Sequence, residues 1–373
     1  MSRPTYLDIN TAALINNVTR VNQCIGNHNT QERSKKIIAM VKANAYGCGL
    51  TDVLPILEPH VDAFGVACLE EAIAVRELSP HGECILFQGV FSPGELELVV
   101  RLRLQCVIHQ SAQLQWILTT PITTQLKVWV KVNTGMQRLG FDRDKMHDVI
   151  QSLMNCPWVD SDIGLMTHLA CADEPENPVN RRQLITFNEL TTPYGSMRRS
   201  IANSAAILAL PETHADVVRP GIMLYGVSPF SDQTGTGLGL EPVMRFMSSV
   251  TTIHHYPAHS PIGYGGAWQS DKPSVIGVVP VGYGDGYPRH VQHASVWVNG
   301  YEVPIVGRIS MDMLTIDLTD CPGVKLDDSV ELWGQHIPVE VVAAWAGTIP
   351  YELLCQVSRR VRHVSSLENE VSK

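Results

Sequence analysis

Between residues 36 and 219, short apolar runs alternate with stretches in which apolar residues recur every third or fourth position. Runs at 36–41, 63–67, 84–88, 105–109, 126–132, 163–167, 199–202 and 217–219 read as strands, most of them apolar throughout, as strands covered on both faces must be. Helical spacing separates them. From Thr11 onward, Leu14, Ile15, Val18 and Val21 share one face, and Leu114, Ile117 and Leu118 do the same after Ser111. Ser92-Pro93-Gly94-Glu95 predicts a helix start, with Ser as N-cap, Pro at the first helical position and Glu closing a capping box. Eight strands interleaved with helices predict an α/β fold, a (β/α)8 (TIM-type) barrel. An open doubly wound sheet has the same periodicity and stays open as an alternative.

The alternation stops at the polar, Gly-rich stretch 231–237. Beyond it come β-branched, turn-rich segments at 248–254, 274–281, 295–298, 302–306, 314–318 and 330–333, with Asn299-Gly300 as a turn. The expected division is therefore a barrel over 1–239 and a mainly-β domain over 240–373. Tyr6-Leu7-Asp8-Ile9 alternates like a strand lying outside the barrel and is expected to pair with the β domain.

Composition changes this picture little. The 373 residues are 45% hydrophobic and 17% charged, which excludes disorder. The net charge of -9 argues against binding nucleic acid or an anionic membrane, since both need a basic face. Nine cysteines without a CxxC pair fit reduced thiols rather than a disulfide framework. No secretory h-region opens the chain and no apolar run nears the roughly 18 residues of a membrane span, so a cytoplasmic protein is expected. His254, His255 and His259 lack metal-ligand spacing, so no metal is expected. Arg359-Arg360-Val361-Arg362 reads as a solvated end.

In a barrel, chemistry belongs just past the strands' C-terminal ends. Lys42 follows the first barrel strand beside a Gly-bearing loop, which suits a Schiff base with a carbonyl cofactor; a lysine snorkelling from a strand end is the plain alternative. Lys131, His168, Asn203-Ser204 and Arg219 also follow strands and should converge on the same mouth. Ser204 and Pro220-Gly221-Ile222, after the last two strands, suit a phosphate, although Ser204 taken alone reads first as an ordinary N-cap.

At these residues the chain resembles the alanine racemases, fold type III pyridoxal-phosphate enzymes. Val41-Lys42-Ala43-Asn44-Ala45-Tyr46-Gly47 looks like the cofactor-lysine signature. Further matches are Lys131 to Met136, Arg138-Leu139-Gly140, Thr167-His168, Ala202-Asn203-Ser204-Ala205 and Val218-Arg219-Pro220-Gly221-Ile222. The β region adds Gly263-Tyr264-Gly265, Val281 to Tyr287, Gly307 to Asp312 and Pro350-Tyr351-Glu352.

The resemblance implies pyridoxal 5'-phosphate on Lys42 and interconversion of L- and D-alanine, supplying D-alanine for bacterial peptidoglycan. It implies two bases: Lys42 on the D-alanine face and Tyr264, from the partner subunit of a homodimer, on the L-alanine face. A tyrosine acts as a base only beside a cation that favours its phenolate, and the resemblance assigns that to a chain through His168 and Arg219. Arg219 would face the pyridine nitrogen. Tyr46, Asn203, Ser204, Tyr351 and the N–H groups of Gly221 and Ile222 would complete the cofactor site. Arg138 would fix the substrate carboxylate, Met311 of the other subunit would shape the pocket, and Lys131 matches a position often carbamylated. Two departures stand out: Asn133 where many relatives carry Asp, and Cys48 where His is common, a thiol expected to be open to alkylation. Competing readings are a racemase of broader specificity, a decarboxylase on the same barrel, disfavoured by Arg219 and Tyr264, and a non-catalytic cofactor-binding protein, disfavoured by the β region.

Overall fold

The computed structural model describes residues 3–27 and 35–365. Strand β1 (Tyr6–Ile9) precedes eight parallel strands: β2 (Lys36–Met40), β3 (Ala63–Val66), β4 (Cys84–Leu86), β5 (Gln105–Ile108), β6 (Val128–Lys131), β7 (Gly164–Met166), β8 (Arg198–Ser200) and β9 (Val217–Val218). They pair in chain order, and Lys36 and Ile37 of β2 pair with β9 to close the sheet. The closed (β/α)8 barrel excludes the open sheet. Each strand is one to several residues shorter than its apolar run, because the runs continue into the connecting loops, where Val41, Leu126, Val132, Ile163 and Thr167 stay buried.

Packing inside the barrel depends on one close approach. Trp129 is fully buried and its indole N–H donates to Gln105 Oε1 at 2.8 Å. Its ring lies on Gly164, where any Cβ would run into the indole. The guanidinium of Arg198 covers the ring at 4.9 Å from its centroid.

Past residue 240 lie β10 (Met244–Ser249), β11 (Thr252–Tyr256), β12 (Pro261–Ile262), β13 (Trp268–Gln269), β14 (Ser274–Val279), β15 (Ser295–Val298), β16 (Tyr301–Val306), β17 (Leu314–Asp317), β18 (Ser329–Trp333) and β19 (Arg362–Ser365). A nine-stranded sheet runs β11-β14-β17-β16-β15-β18-β10-β1-β19, and β12 and β13 form a separate ribbon. The first strand pairs with β10 as expected, and also runs parallel to β19.

Three expectations need correction. The run 248–254 is not one strand: the chain leaves β10 at Val250 and enters β11 at Thr252, where it pairs with β14. The turn is hidden in the sequence because Val250 is itself buried. The helix expected from Ser92 begins at Glu95, whose carboxylate accepts the N–H of Phe91 instead. Arg360 is no solvated end: it binds buried Asp285 at 2.7 Å and Asp312 at 2.8 Å. Two helices, Val339–Ala346 and Pro350–Gln356, complete the β region. No helix among the described residues is long and apolar enough to cross a membrane.

Candidate active site

Lys42 leaves β2 into an unusual turn. Ala43, Asn44, Ala45 and Tyr46 all have φ between 53 and 55°, a left-handed run that costs L-residues about 1–2 kcal/mol each. It is held by Ala45 N–H to Val41 carbonyl at 2.9 Å, by Leu50 N–H to Asn44 Oδ1 at 2.9 Å, and by Ala43 N–H to Glu71 Oε1 at 2.7 Å. Lys42 and Tyr46, one turn apart, both border the cavity at the barrel mouth. Gly47 ends the turn at φ 78°; a Cβ there would strike the Leu354 carbonyl, so glycine lets the Pro350–Gln356 helix close in. That helix brings Tyr351 to 6.2 Å from Tyr46, ring to ring. Tyr46 stacks on Tyr225 at 4.8 Å, and the Tyr225 hydroxyl donates to the Met40 carbonyl.

The opposite wall comes from β8 and β9. Asn203, not Ser204, caps the next helix, its Oδ1 accepting the Ala206 N–H. This frees Ser204 Oγ to accept the N–H of Gly221 at 2.8 Å and of Met223 at 3.4 Å. A Cβ on Gly221 would collide with the Tyr46 hydroxyl. Hydroxyls and bare backbone thus meet in one cradle, a donor set that fits phosphate.

Arg219, 5% exposed, donates to Ser200 Oγ at 2.6 Å and to the Thr167 and Ile201 carbonyls at 2.7 and 3.0 Å. Burial pulls its pKa down to about 10, so it stays charged near neutrality. Its Nη2 also faces His168 Nδ1 at 3.5 Å. Because the guanidinium can only donate, His168 accepts there, which assigns a neutral ring's proton to Nε2. Burial and Arg219 hold His168 well below its usual range, so the neutral ring is the form at pH 7. Of the expected His–Arg chain, only Arg219 carries charge.

Lys131 is lowered to about 8 by burial, Arg219, Arg138 and Lys42. Lys42 is open to the cavity, yet protein packed around its stem lowers it too, with Arg138 adding to the effect. The cavity, about 480 Å3, is bordered by Lys42, Lys131, Arg138 and Arg219, and no carboxylate lines it among the described residues. Tyr46, His168, Asn203, Ser204, Gly221, Ile222 and Tyr351 share the wall. The sequence reading missed Phe87, Gln88 and His109, which end the runs after β4 and β5 and were open to the same strand-end rule.

Tyr264 and Met311 do not border this cavity. Tyr264 is 70% exposed, beside a second, open hollow of about 530 Å3 with Arg308, Met313 and Thr315. Met311 is 53% exposed, and its carbonyl is held by the Gly284 N–H and by Arg360. The two departures also find their settings. Asn133 donates to Asp142 Oδ1 at 2.8 Å and to Gln137 Oε1 at 2.7 Å, so a carboxylate there would face a carboxylate. Cys48 is fully buried and its thiol is pushed far up by burial, which overturns the expected sensitivity to alkylation.

Comparison with known proteins agrees with the geometry. Residues 9–229 match the family described as alanine racemase, N-terminal domain, and 243–365 its C-terminal domain. A protein named alanine racemase from Legionella pneumophila (strain Lens) is 57% identical over 97% of this chain and 100% of its own length. One of the same name from Nitrosococcus oceani is 46% identical over 95% of this chain and 97% of its own. Among solved structures, the biosynthetic alanine racemase of Pseudomonas aeruginosa superposes with TM-score 0.91 at 38% identity, covering 98% of this chain and 99% of that one. The alanine racemase of Acinetobacter baumannii gives 0.90 at 42%, covering 98% and 100%.

Proposed function

This chain belongs to the alanine racemase family of isomerases, and from that premise we propose that it interconverts L- and D-alanine with pyridoxal 5'-phosphate by a two-base mechanism in a homodimer. One observation carries the reading: four cations border a cavity on whose wall no acid lies among the described residues. Cations gathered this closely without a carboxylate repel one another, and with Arg219 buried among them the cost stands until an anion joins them. A phosphate-bearing cofactor and a substrate carboxylate are two such anions. The chemistry supplied by the bound group is dispersal of charge from the alanine Cα, which makes its C–H acidic.

The chain's residues divide the remaining work. Ser204, Tyr46, Tyr351, Asn203 and the N–H groups of Gly221 and Ile222 would hold the phosphate end, the Gly221 N–H turning to it from Ser204 Oγ. Arg219, fixed by Ser200 and two carbonyls, would donate to the ring nitrogen; because the guanidinium keeps its own proton, it would not protonate that nitrogen, which disfavours side reactions. Lys42 takes or returns the proton on the D-alanine face, and its lowered pKa makes the free amine accessible. Arg138 pairs with the substrate carboxylate. A carbamate on Lys131 orients Arg138; a neutral amine must attack carbon dioxide to form it, and a pKa near 8 supplies that amine.

Tyr264, exposed here and not part of the cavity wall, serves the partner's site on the L-alanine face, and Met311, also exposed, helps to shape that pocket. The expected unit is thus a barrel of 1–239 completed by the 240–373 region of a second copy, acting in the cytoplasm to supply D-alanine for peptidoglycan. The test is direct. The purified chain should convert L-alanine to D-alanine, and borohydride should fix the cofactor on Lys42, read by peptide mass. Fixation elsewhere, or no conversion, overturns the reading.

A further inference from the structure

Glu71 lies in the first turn of the helix Leu69–Leu78. Its Oε2 accepts the Ala67 N–H at 2.8 Å, just past the end of β3. A glutamate at this position ordinarily serves only its own helix's entry. Here Oε1 reaches the turn that follows β2 and accepts the N–H of Ala43 at 2.7 Å, the peptide that carries the Lys42 carbonyl. That bond lands on the first residue of the left-handed run. Helix capping explains one oxygen and leaves the other unexplained.

The charges around Lys42 point the same way. Facing it are Arg138, Lys131, His168, Cys355 and Glu71. His168 is neutral, and the partly enclosed Cys355 thiol is pushed up and keeps its proton. Glu71 is therefore the anion among these groups, and it favours the Lys42 ammonium against two cations.

We infer that Glu71 is a positioning residue for Lys42: its carboxylate ties the ends of β2 and β3 together, holds the left-handed turn that presents the lysine to the cavity, and balances the cations beside the amine. The inference rests on the reading of Lys42 as the cofactor lysine. It gives an acid outside the cavity wall a function in a mouth otherwise built of cations. It also explains how four consecutive non-glycine residues persist in the left-handed conformation before Gly47, since strained backbone survives where the surroundings over-determine it.

The test uses the full-length chain stripped of cofactor, as wild type, Glu71→Gln, Glu71→Asp and Glu70→Gln. Lys42 is labelled with acetic anhydride across pH, and its labelling midpoint is read by peptide mass. Losing the carboxylate should lower the midpoint in Glu71→Gln by roughly 0.5 to 1 pH unit. Glu70, on the same helix but exposed, removes the same charge and should leave the midpoint unmoved. Glu71→Asp keeps the charge but is too short to span both N–H groups. It should hold the midpoint and slow the loading of pyridoxal 5'-phosphate onto Lys42 by roughly tenfold, measured at a pH where the amine is free in every variant.

An unmoved midpoint in Glu71→Gln, an equal shift in Glu70→Gln, or unchanged loading in Glu71→Asp would each overturn the inference. A lower melting temperature without either change would reduce Glu71 to a helix cap. If Glu71→Gln does not fold, loading of Glu71→Asp decides alone. The wild type separates the two claims: cofactor fixed away from Lys42 fells the proposed function, whereas fixation on Lys42 with unchanged variants fells only the role of Glu71.

Discussion

The two ends of one barrel carry similar numbers of cations, three and four, in opposite arrangements. Where the strands begin, Lys36, Lys127 and Arg198 face Asp62, Glu83 and Asp162 around a hollow of about 110 Å3. Lys127 donates to Glu83 at 3.0 Å, Arg198 to Asp162 at 2.8 Å, and Asp62 accepts the Ile37 N–H at 2.8 Å. Where the strands end, Lys42, Lys131, Arg138 and Arg219 border a cavity of about 480 Å3 with no acid on its wall among the described residues. The first end is balanced and closes the barrel. The second is unbalanced, so it selects anions. What marks a functional end is the uncompensated sign of its charges, not their number.

The sharpest way to break this comparison is to remove one charge from each end. Lys42→Ala should cut racemisation more than roughly a thousandfold, since it removes both the proposed cofactor attachment and a proposed base. Glu83→Gln should leave kcat/KM within about twofold. A large loss in the second variant would show that the balanced end also serves catalysis.

Next in size is Tyr264→Phe, expected to lower kcat by about a hundredfold or more with the cofactor still bound. Mixing subunits sharpens the point. If each mouth is completed by a second copy, Lys42→Ala and Tyr264→Ala chains, unfolded and refolded together, form heterodimers with one intact site. Random pairing then restores about a quarter of wild-type activity. No recovery would return Tyr264 to its own chain's mouth or remove it from the reaction.

The unbalanced mouth was legible in sequence to an uneven degree. Lys42, Lys131, His168 and Arg219 follow apolar runs, and a closed parallel barrel gathers such positions whatever their separation along the chain. Gln88 and His109 obeyed the same rule and were overlooked. Tyr264 and Met311 came only from resemblance, because periodicity cannot tell which exposed residue of a β domain meets another molecule. The left-handed turn was invisible, since Ala43 and Ala45 favour right-handed helix in isolation and the fold imposes the opposite hand. For the same reason Cys48 was misplaced: adjacency to Lys42 in sequence did not reveal that the turn carries it inward.

A smaller test measures the cost of imbalance as stability. Lys131 has a folded pKa near 8 against an ordinary 10.5. Between those values the unfolded chain binds the proton that the folded chain has released, so this group makes stability rise with pH across the window and exacts its full cost below it. In bicarbonate-free, cofactor-free protein, Lys131→Met should therefore be more stable than wild type at pH 7, by about 1–2 kcal/mol after allowance for partial exposure. The gap should close by about pH 10.5. Bicarbonate should narrow it at pH 7, because a carbamate gives the mouth the acid it lacks. A gap independent of pH would mean that packing of the methionine, not relief of charge, explains the gain.

The smallest effect comes from placing an acid beside the cationic mouth at the wrong atom. Asn133→Asp adds a carboxylate two residues past Lys131, which mouth balance alone would predict to stabilise. Locally, though, the Asn133 amide donates to Asp142 at 2.8 Å, and the aspartate would replace that bond with a like-charge contact. At these distances the neighbour should outweigh the more distant cations, so the variant should lose about 0.5–1 kcal/mol at pH 7. The new carboxyl, crowded by Asp142, should titrate above the ordinary aspartate range. Its penalty is then present at neutral pH and fades as acid protonates the pair. Urea unfolding of both proteins at pH 7 and pH 4 reads this out. A stabilised variant at pH 7 would mean that the field of the whole mouth, rather than the nearest hydrogen bond, governs what this position tolerates.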